Sequence, residues 1–215
     1  MSTIRFVLSL IFAVALCRSY PAFAISPVTT ITSESNPIVR TSGANVGSQA
    51  PQFLLDAVVN GEFKKISLDE YRGKWTVLFF YPGDFTFVCP TEIKGFNASL
   101  GEFEKSNASI LAISVDSKYS HLAWIKSGAL GELAYPLLSD FSKKTARDYD
   151  VLDEQQSTAQ RGLFIIDPQG VVQYRVVHND KVGRSVEETL RVLKALQTEA
   201  LCPINWKPGR ETIKK

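Results

Sequence analysis

The sequence predicts an α/β domain, a central mixed β-sheet with helices on both faces. Three observations lead there. Trp75 to Tyr81 and Ile110 to Val115 are continuous apolar runs of strand length, the pattern of strands buried on both sides. Apolar side chains then recur at helical spacing, at Ile93, Phe96, Leu100 and Phe103 and again at Val186, Leu190, Leu193 and Leu196. Finally, Asp167-Pro168-Gln169-Gly170 is a turn sequence between Gly162–Asp167 and Val171–Val177, which makes the second run the antiparallel partner of the first.

Each element can be justified in chain order. Phe53 to Val59 and Phe63 to Leu68 flank Asn60-Gly61, which suits a tight turn with positive φ at both central residues, so an N-terminal β-hairpin is expected. Ser67 to Tyr71 reads as a short helical turn, Trp75 to Tyr81 as a central strand, and Thr91 to Lys105 as one amphipathic helix. Ile110 to Val115 is the next strand and Tyr119 to Ser127 the next helix. Ser185-Val186-Glu187-Glu188 has capping-box spacing and opens the last helix. The order strand, helix, strand, helix, strand, strand, helix is that of a thioredoxin-like fold. Cys202-Pro203-Ile204-Asn205-Trp206 lies beyond the last helix in a proline-containing arm, where Cys202 is expected to be exposed and movable.

The ends of the chain read differently from this domain. Met1 to Arg5 is a short basic start, Phe6 to Cys17 an apolar run too short for a bilayer span of roughly 20 residues, and Ala22-Phe23-Ala24 a small-x-small cleavage site. Residues 1–24 are therefore expected to be a secretory signal, with no stable membrane association after cleavage. Leu16 before Cys17 is too large for a lipoprotein attachment site. Residues 25–45, rich in Ser, Thr and Asn, read as a flexible leader, 46–200 as the folded domain and 201–215 as the C-terminal arm. The expected location is outside the cytosol, in a periplasm or a secretory or organelle lumen; without a working signal it is cytoplasmic.

Cleavage removes Arg5 and Arg18 from 24 basic residues and none of the 22 acidic ones, which brings the two counts level. Near-zero charge argues against a nucleic-acid partner. It also leaves two of the 3 cysteines, Cys89 and Cys202, and two distant cysteines in an exported domain suggest one disulfide, structural or catalytic.

Cys89 stands where a strand passes into a helix, near unpaired backbone N–H groups and the positive end of the macrodipole, both of which favour thiolate. Pro90 at the helix start loses no needed N–H, and Pro82 fixes the exit from the strand. Thr86, three residues before Cys89, is expected to bring a hydroxyl near the sulfur, and Phe85, Phe87 and Val88 to wall a small apolar pocket around it. A thiolate also calls for a fixed cation, for which Arg161 just before a strand is the best candidate, although its sequence context alone favours a surface salt bridge. Position 92 is glutamate, so there is no Cys-x-x-Cys pair for dithiol exchange. A Cys-His hydrolase would need His121 or His178 beside Cys89, and both are read as structural or surface residues.

The run Phe79 to Glu92 resembles the active-site segment of the typical two-cysteine peroxiredoxins. So do Ser114 to Asp116, His121 to Trp124, Tyr135 to Asp140, Arg161 to Asp167, Gly183 to Thr189 and Cys202 to Trp206. The resemblance runs from about residue 45 to the C-terminus, and it implies a peroxidase. Cys89 matches the peroxidatic cysteine, whose thiolate attacks the O–O bond and becomes a sulfenic acid. Thr86 and Arg161 match the groups that orient the peroxide and stabilise developing charge. Pro82 matches the shield of the thiolate, and Glu92 the acid that holds the arginine. Cys202 matches the resolving cysteine, which attacks the sulfenic acid of a partner subunit and leaves a disulfide for a thioredoxin-like reductant to open. An antiparallel homodimer, and a decamer of five such dimers, are the partners implied, with a small peroxide as substrate and neither metal nor cofactor. Arg161 alone is taken as the site arginine.

Gly128-Ala129-Leu130-Gly131 departs from the Gly-Gly-Leu-Gly of oxidation-sensitive members, and no Tyr-Phe helix follows the arm, so the enzyme is expected to resist sulfinic acid formation. Two other readings stand beside this one: a chaperone-like holdase as a second role, and a thioredoxin-like domain with a structural disulfide.

Overall fold

The computed structural model describes residues 43–214; the expected signal, 1–24, and all but the end of the expected leader, 25–45, lie outside the described residues. Strands β1 (Leu54–Val59), β2 (Glu62–Ser67), β3 (Trp75–Phe80), β4 (Ala108–Ser114), β5 (Leu137–Ser139), β8 (Arg161–Ile166) and β9 (Val172–His178) form a sheet in the order β2-β1-β5-β4-β3-β8-β9. The sheet is mixed, since β3, β4 and β5 run parallel while β8 is antiparallel to both β3 and β9. Helices α1 (Cys89–Ala98), α2 (Leu100–Lys105), α3 (Lys118–Lys126), α4 (Lys144–Asp148) and α5 (Val186–Gln197) connect it, and β6 (Leu152–Asp153) pairs with β7 (Thr158–Ala159) as a small separate hairpin.

The continuous apolar runs do what their pattern implies. In β3, Val77 and Phe79 face one core and Leu78 and Phe80 the other; β4 and β8 divide in the same way, with Ile110 and Leu163 on the first side and Leu111 and Phe164 on the second. Residues of α1, α2, α5 and Trp124 of α3 cover the first side. Those of α4, Leu68 and the segment around Ala44, Ala50 and Phe53 cover the second. The N-terminal hairpin closes as expected, with Asn60 at φ 49° and Gly61 at φ 78°, and β1 adds it to the sheet through β5.

Three expectations change. The helix expected over 91–105 is two helices, because Ser99 (φ −101°, ψ 6°) leaves helical geometry and starts α2. The short elements β5, α4, β6 and β7 are additions, too brief to carry a period that identifies them. The capping box is complete at Ser67, where Glu70 accepts from the Ser67 N–H and Ser67 Oγ from Asp69 N. At Ser185 it is half made: Ser185 Oγ accepts from Glu188 N, while the Glu188 carboxylate turns to Arg191.

Candidate active site

The end of β3 delivers Tyr81, and the loop 82–88 then leads to Cys89, the first residue of α1. Pro90 follows it inside the first turn, where its missing N–H costs nothing. Cys89 is fully buried, and both Cys89 and Cys202 are free thiols.

Arg161, at the head of β8, reaches the sulfur from the next strand. Its Nη1 lies 3.4 Å from Cys89 Sγ and 2.6 Å from Glu92 Oε2, while Nε donates to the Asp180 carbonyl at 2.8 Å. Glu92, one turn after Cys89 on α1, thus anchors the guanidinium beside the thiol. The sequence-derived set Cys89, Glu92 and Arg161 is brought together.

A second arginine joins them, one that sequence reasoning passed over. Arg184 donates to Glu92 Oε1 from its backbone N (2.8 Å) and from Nε (2.7 Å), and to Oε2 from Nη2 (2.8 Å). Its Nη1 donates to the carbonyls of Phe80 and Gly162, both at 2.7 Å, and the guanidinium sits over the Phe79 ring at 4.9 Å. Glu92 is therefore a buried carboxylate between two buried guanidinium groups. Burial alone would raise its pKa; the hydrogen bonds and charge of Arg184, with the charge of Arg161, outweigh that and hold it below the ordinary carboxylate range. A signal for Arg184 did exist: a cation just before a helix N-terminus opposes the macrodipole and needs an anionic partner. Gly162 itself is held to glycine by the opposite side of the sheet, where a Cβ would lie 2.6 Å from Val151 Cγ1.

The loop before Cys89 departs from expectation. Thr86 Oγ1 donates to the Gly83 carbonyl at 2.9 Å, so its proton is committed to the loop and not to the sulfur. Phe85 and Phe87 do not wall a pocket: they are 58% and 95% exposed. The positive φ of Phe85 (55°) turns its ring outward onto Trp124, with centroids 5.9 Å apart. Pro82 is half-buried at the strand exit.

His121 is buried behind this loop and serves to brace it. Its Nε2 donates to the Leu138 carbonyl (3.1 Å) and its Nδ1 meets Asp84 Oδ2 (2.8 Å), while Tyr81 donates to Asp84 Oδ1 (2.9 Å) and the Asp84 N–H to Asp116 Oδ2 (2.9 Å). His178 pairs with Arg161 across the β8–β9 ladder. The hydrogen bonds of His121 thus go to Asp84 and Leu138 instead of to Cys89, as the structural reading of that residue expects.

Cys202 is less exposed than expected. Its sulfur is half-buried against the C-terminal end of α5, 3.9 Å from the Ala195 carbonyl and 3.5 Å from Thr198 Oγ1. The arm is pinned by Trp206, which is buried, donates from Nε1 to the Arg210 carbonyl (3.0 Å) and accepts at its own carbonyl from Arg191 (3.1 Å).

Residues 46–175 match the AhpC/TSA family. The chain is 52% identical over 175 residues to the putative peroxiredoxin YkuU of Bacillus subtilis (strain 168), covering 78% of this chain and 97% of that one. The chain belongs to the AhpC/TSA family, the peroxiredoxins. It is also 55% identical over 177 residues to the mitochondrial thioredoxin-dependent peroxide reductase of Mus musculus, covering 79% and 69% of the two chains. Among solved structures it is similar to the reduced 2-Cys peroxiredoxin of Plasmodium vivax, with TM-score 0.75, 41% identity and coverage of 79% and 92%. As a peroxiredoxin the protein is a peroxidase, and its fold is the thioredoxin fold of that family.

Proposed function

We propose that this peroxiredoxin reduces hydrogen peroxide and organic hydroperoxides through a sulfenic acid at Cys89, which Cys202 of a second subunit resolves. The observation that carries the reading is the guanidinium of Arg161 on the Cys89 sulfur at 3.4 Å, held there by Glu92. A cation fixed on a sulfur at a helix start favours the thiolate, and the same charge can stabilise the alkoxide or hydroxide that leaves when the O–O bond breaks. The thiolate attacks the terminal peroxide oxygen, the S–O bond forms as the O–O bond breaks, and the leaving oxygen takes a proton as water or alcohol. Thr86, its proton given to Gly83, presents an oxygen to the O–H of an incoming peroxide; Pro82 screens the sulfur at the strand exit.

The placement of the two thiols favours a partner's Cys202 over the chain's own. Glu92, one turn from Cys89, is bound to Arg184 at the N-terminal end of α5, whereas Cys202 packs against Ala195 at the other end. At 1.5 Å per residue these ends are roughly 15 Å apart. A disulfide needs Cα atoms closer than about 7 Å, so an intrachain structural bond would demand large rearrangement. An antiparallel homodimer, alone or in a ring of five, brings the pair together, and a thioredoxin-like dithiol reopens the bond by exchange.

The test is peroxide consumption with a dithiol reductant by the wild type and by Cys89→Ser. The reading expects activity to vanish with Cys89 replaced, and unchanged activity would overturn it. Protection of unfolded clients that survives Cys89→Ser would mark a holdase role separate from it. The domain limits and the exported location are part of the proposal, with residues 1–24 as signal and 25–45 as leader; N-terminal sequencing of the mature protein tests them.

A further inference from the structure

We propose that Arg191 is a positioning residue for the resolving step, holding the C-terminal arm on α5 and presenting a fixed positive charge to Cys202. This rests on the assignment of Cys89 and Cys202 above. Arg191 lies in the middle of α5 with its side chain 28% exposed. Its Nε and Nη2 bind the two oxygens of Glu188, at 2.6 and 2.8 Å, a fork-to-fork pairing that fixes the guanidinium plane. Nη1 is then directed to the arm, where it donates to the Trp206 carbonyl at 3.1 Å.

Arg191 and Cys202 line the same cavity of about 630 Å³, together with Val192, Ala195, Glu199 and Ile204. The nearest partners of the sulfur are the Ala195 carbonyl, which accepts from a thiol, and Thr198 Oγ1, whose own proton goes to that same carbonyl at 2.8 Å. Of the charged groups on the cavity, Glu199 repels a thiolate and Arg191 attracts one. Glu188 on α5 and Tyr174 on β9 face the guanidinium; hydrogen bonds to Glu188 raise its pKa most, and Tyr174 and Cys202 add smaller contributions. Among the described residues, Arg191 is thus the one cation lining the cavity that holds Cys202.

The step it serves balances in sulfur chemistry. The Cys202 thiolate attacks the Cys89 sulfenic sulfur of the partner subunit, the S–S bond forms as the S–O bond breaks, and hydroxide leaves to become water on taking a proton. Cys202 is oxidised and the sulfenic sulfur reduced, with the thioredoxin-like dithiol closing the cycle.

The experiment is rapid mixing of the reduced full-length protein with hydrogen peroxide, following the peroxide-dependent formation of sulfenic acid and the later peroxide-independent disulfide closure. Wild type, Arg191→Gln and Arg191→Lys are compared across about pH 6 to 9, which brackets the ordinary cysteine pKa of about 8.5. The first phase is expected to be the same in all three. Closure in Arg191→Gln should slow about tenfold at neutral pH, and its pH profile should move toward alkali, because a nearby opposite charge favours the charged form of an attacking group. Arg191→Lys should restore the wild-type profile. Closure in Arg191→Gln with the wild-type pH profile overturns the proposal, whatever its rate. A wild type without the peroxide-dependent phase would instead overturn the assignment of Cys89.

Discussion

Cys89 and Cys202 meet their helices at opposite ends and in opposite company. Cys89 begins α1, is fully buried, and touches a guanidinium fixed by Glu92, which Arg184 also grips with three donors. Cys202 lies past the end of α5, half-buried beside Ala195 and Thr198, on an arm anchored by Trp206. Under the proposed mechanism the difference follows from what each thiol has to do. Attack on a small diffusing peroxide rewards a preorganised charge, and preorganisation requires rigid elements. Attack on another protein's sulfur rewards reach, and reach requires a segment whose attachment is weaker than the core's.

The comparison can be broken first at Glu92. Glu92→Gln leaves two buried arginines short of their anion, so a stability loss of about 3–5 kcal/mol is expected; urea unfolding of the wild type and variant measures it. The same residue sets an acid limit. Because its folded-state pKa lies below the ordinary glutamate value of 4.5, its contribution is complete above that value and is lost as pH falls through the depressed pKa. Stability of the wild type should therefore decline below about pH 4 more steeply than that of Glu92→Gln, as thermal melts at stepped pH would register.

Next in size is the charge on the sulfur. Arg161→Met should slow the first, peroxide-dependent step about 100-fold, the usual effect of losing one charge-stabilising donor, and leave Cys202 reactivity untouched. Stopped-flow kinetics at varied peroxide reports the first step, and alkylation of Cys202 the second. The smallest effect belongs to the arm: Trp206→Ala should raise the alkylation rate of Cys202 several-fold, consistent with a locally opened segment, while the unfolding midpoint of the domain moves little.

Much of this was legible in the residues, and the parts that were not share a cause. β3 and β4 were readable because strands buried on both faces need unbroken apolar runs, and Asn60-Gly61 because few residues tolerate two positive φ values. Cys89, Glu92 and Arg161 were readable because the resemblance marks them and two share one helix. Arg184 was overlooked because its partner is 92 residues away and its five hydrogen bonds meet groups from three different elements. The outward turn of Phe85 and Phe87 was hidden for the converse reason: apolar type predicts burial on average, while a positive φ in one loop residue decides otherwise locally. The break at Ser99 and the three-residue strand β5 escape any periodic pattern, since periodicity needs more length than they have.

The proposed mechanism turns on a peroxide-driven bond between Cys89 of one chain and Cys202 of another. The direct measurement is non-reducing electrophoresis of the purified protein after one equivalent of hydrogen peroxide, with peptide mapping of the product by mass spectrometry. Such a bond predicts a dimer band that appears with peroxide, disappears with dithiol and contains the Cys89 and Cys202 peptides linked to each other. A monomer band alone, with the two peptides linked within one chain or not linked at all, would contradict it.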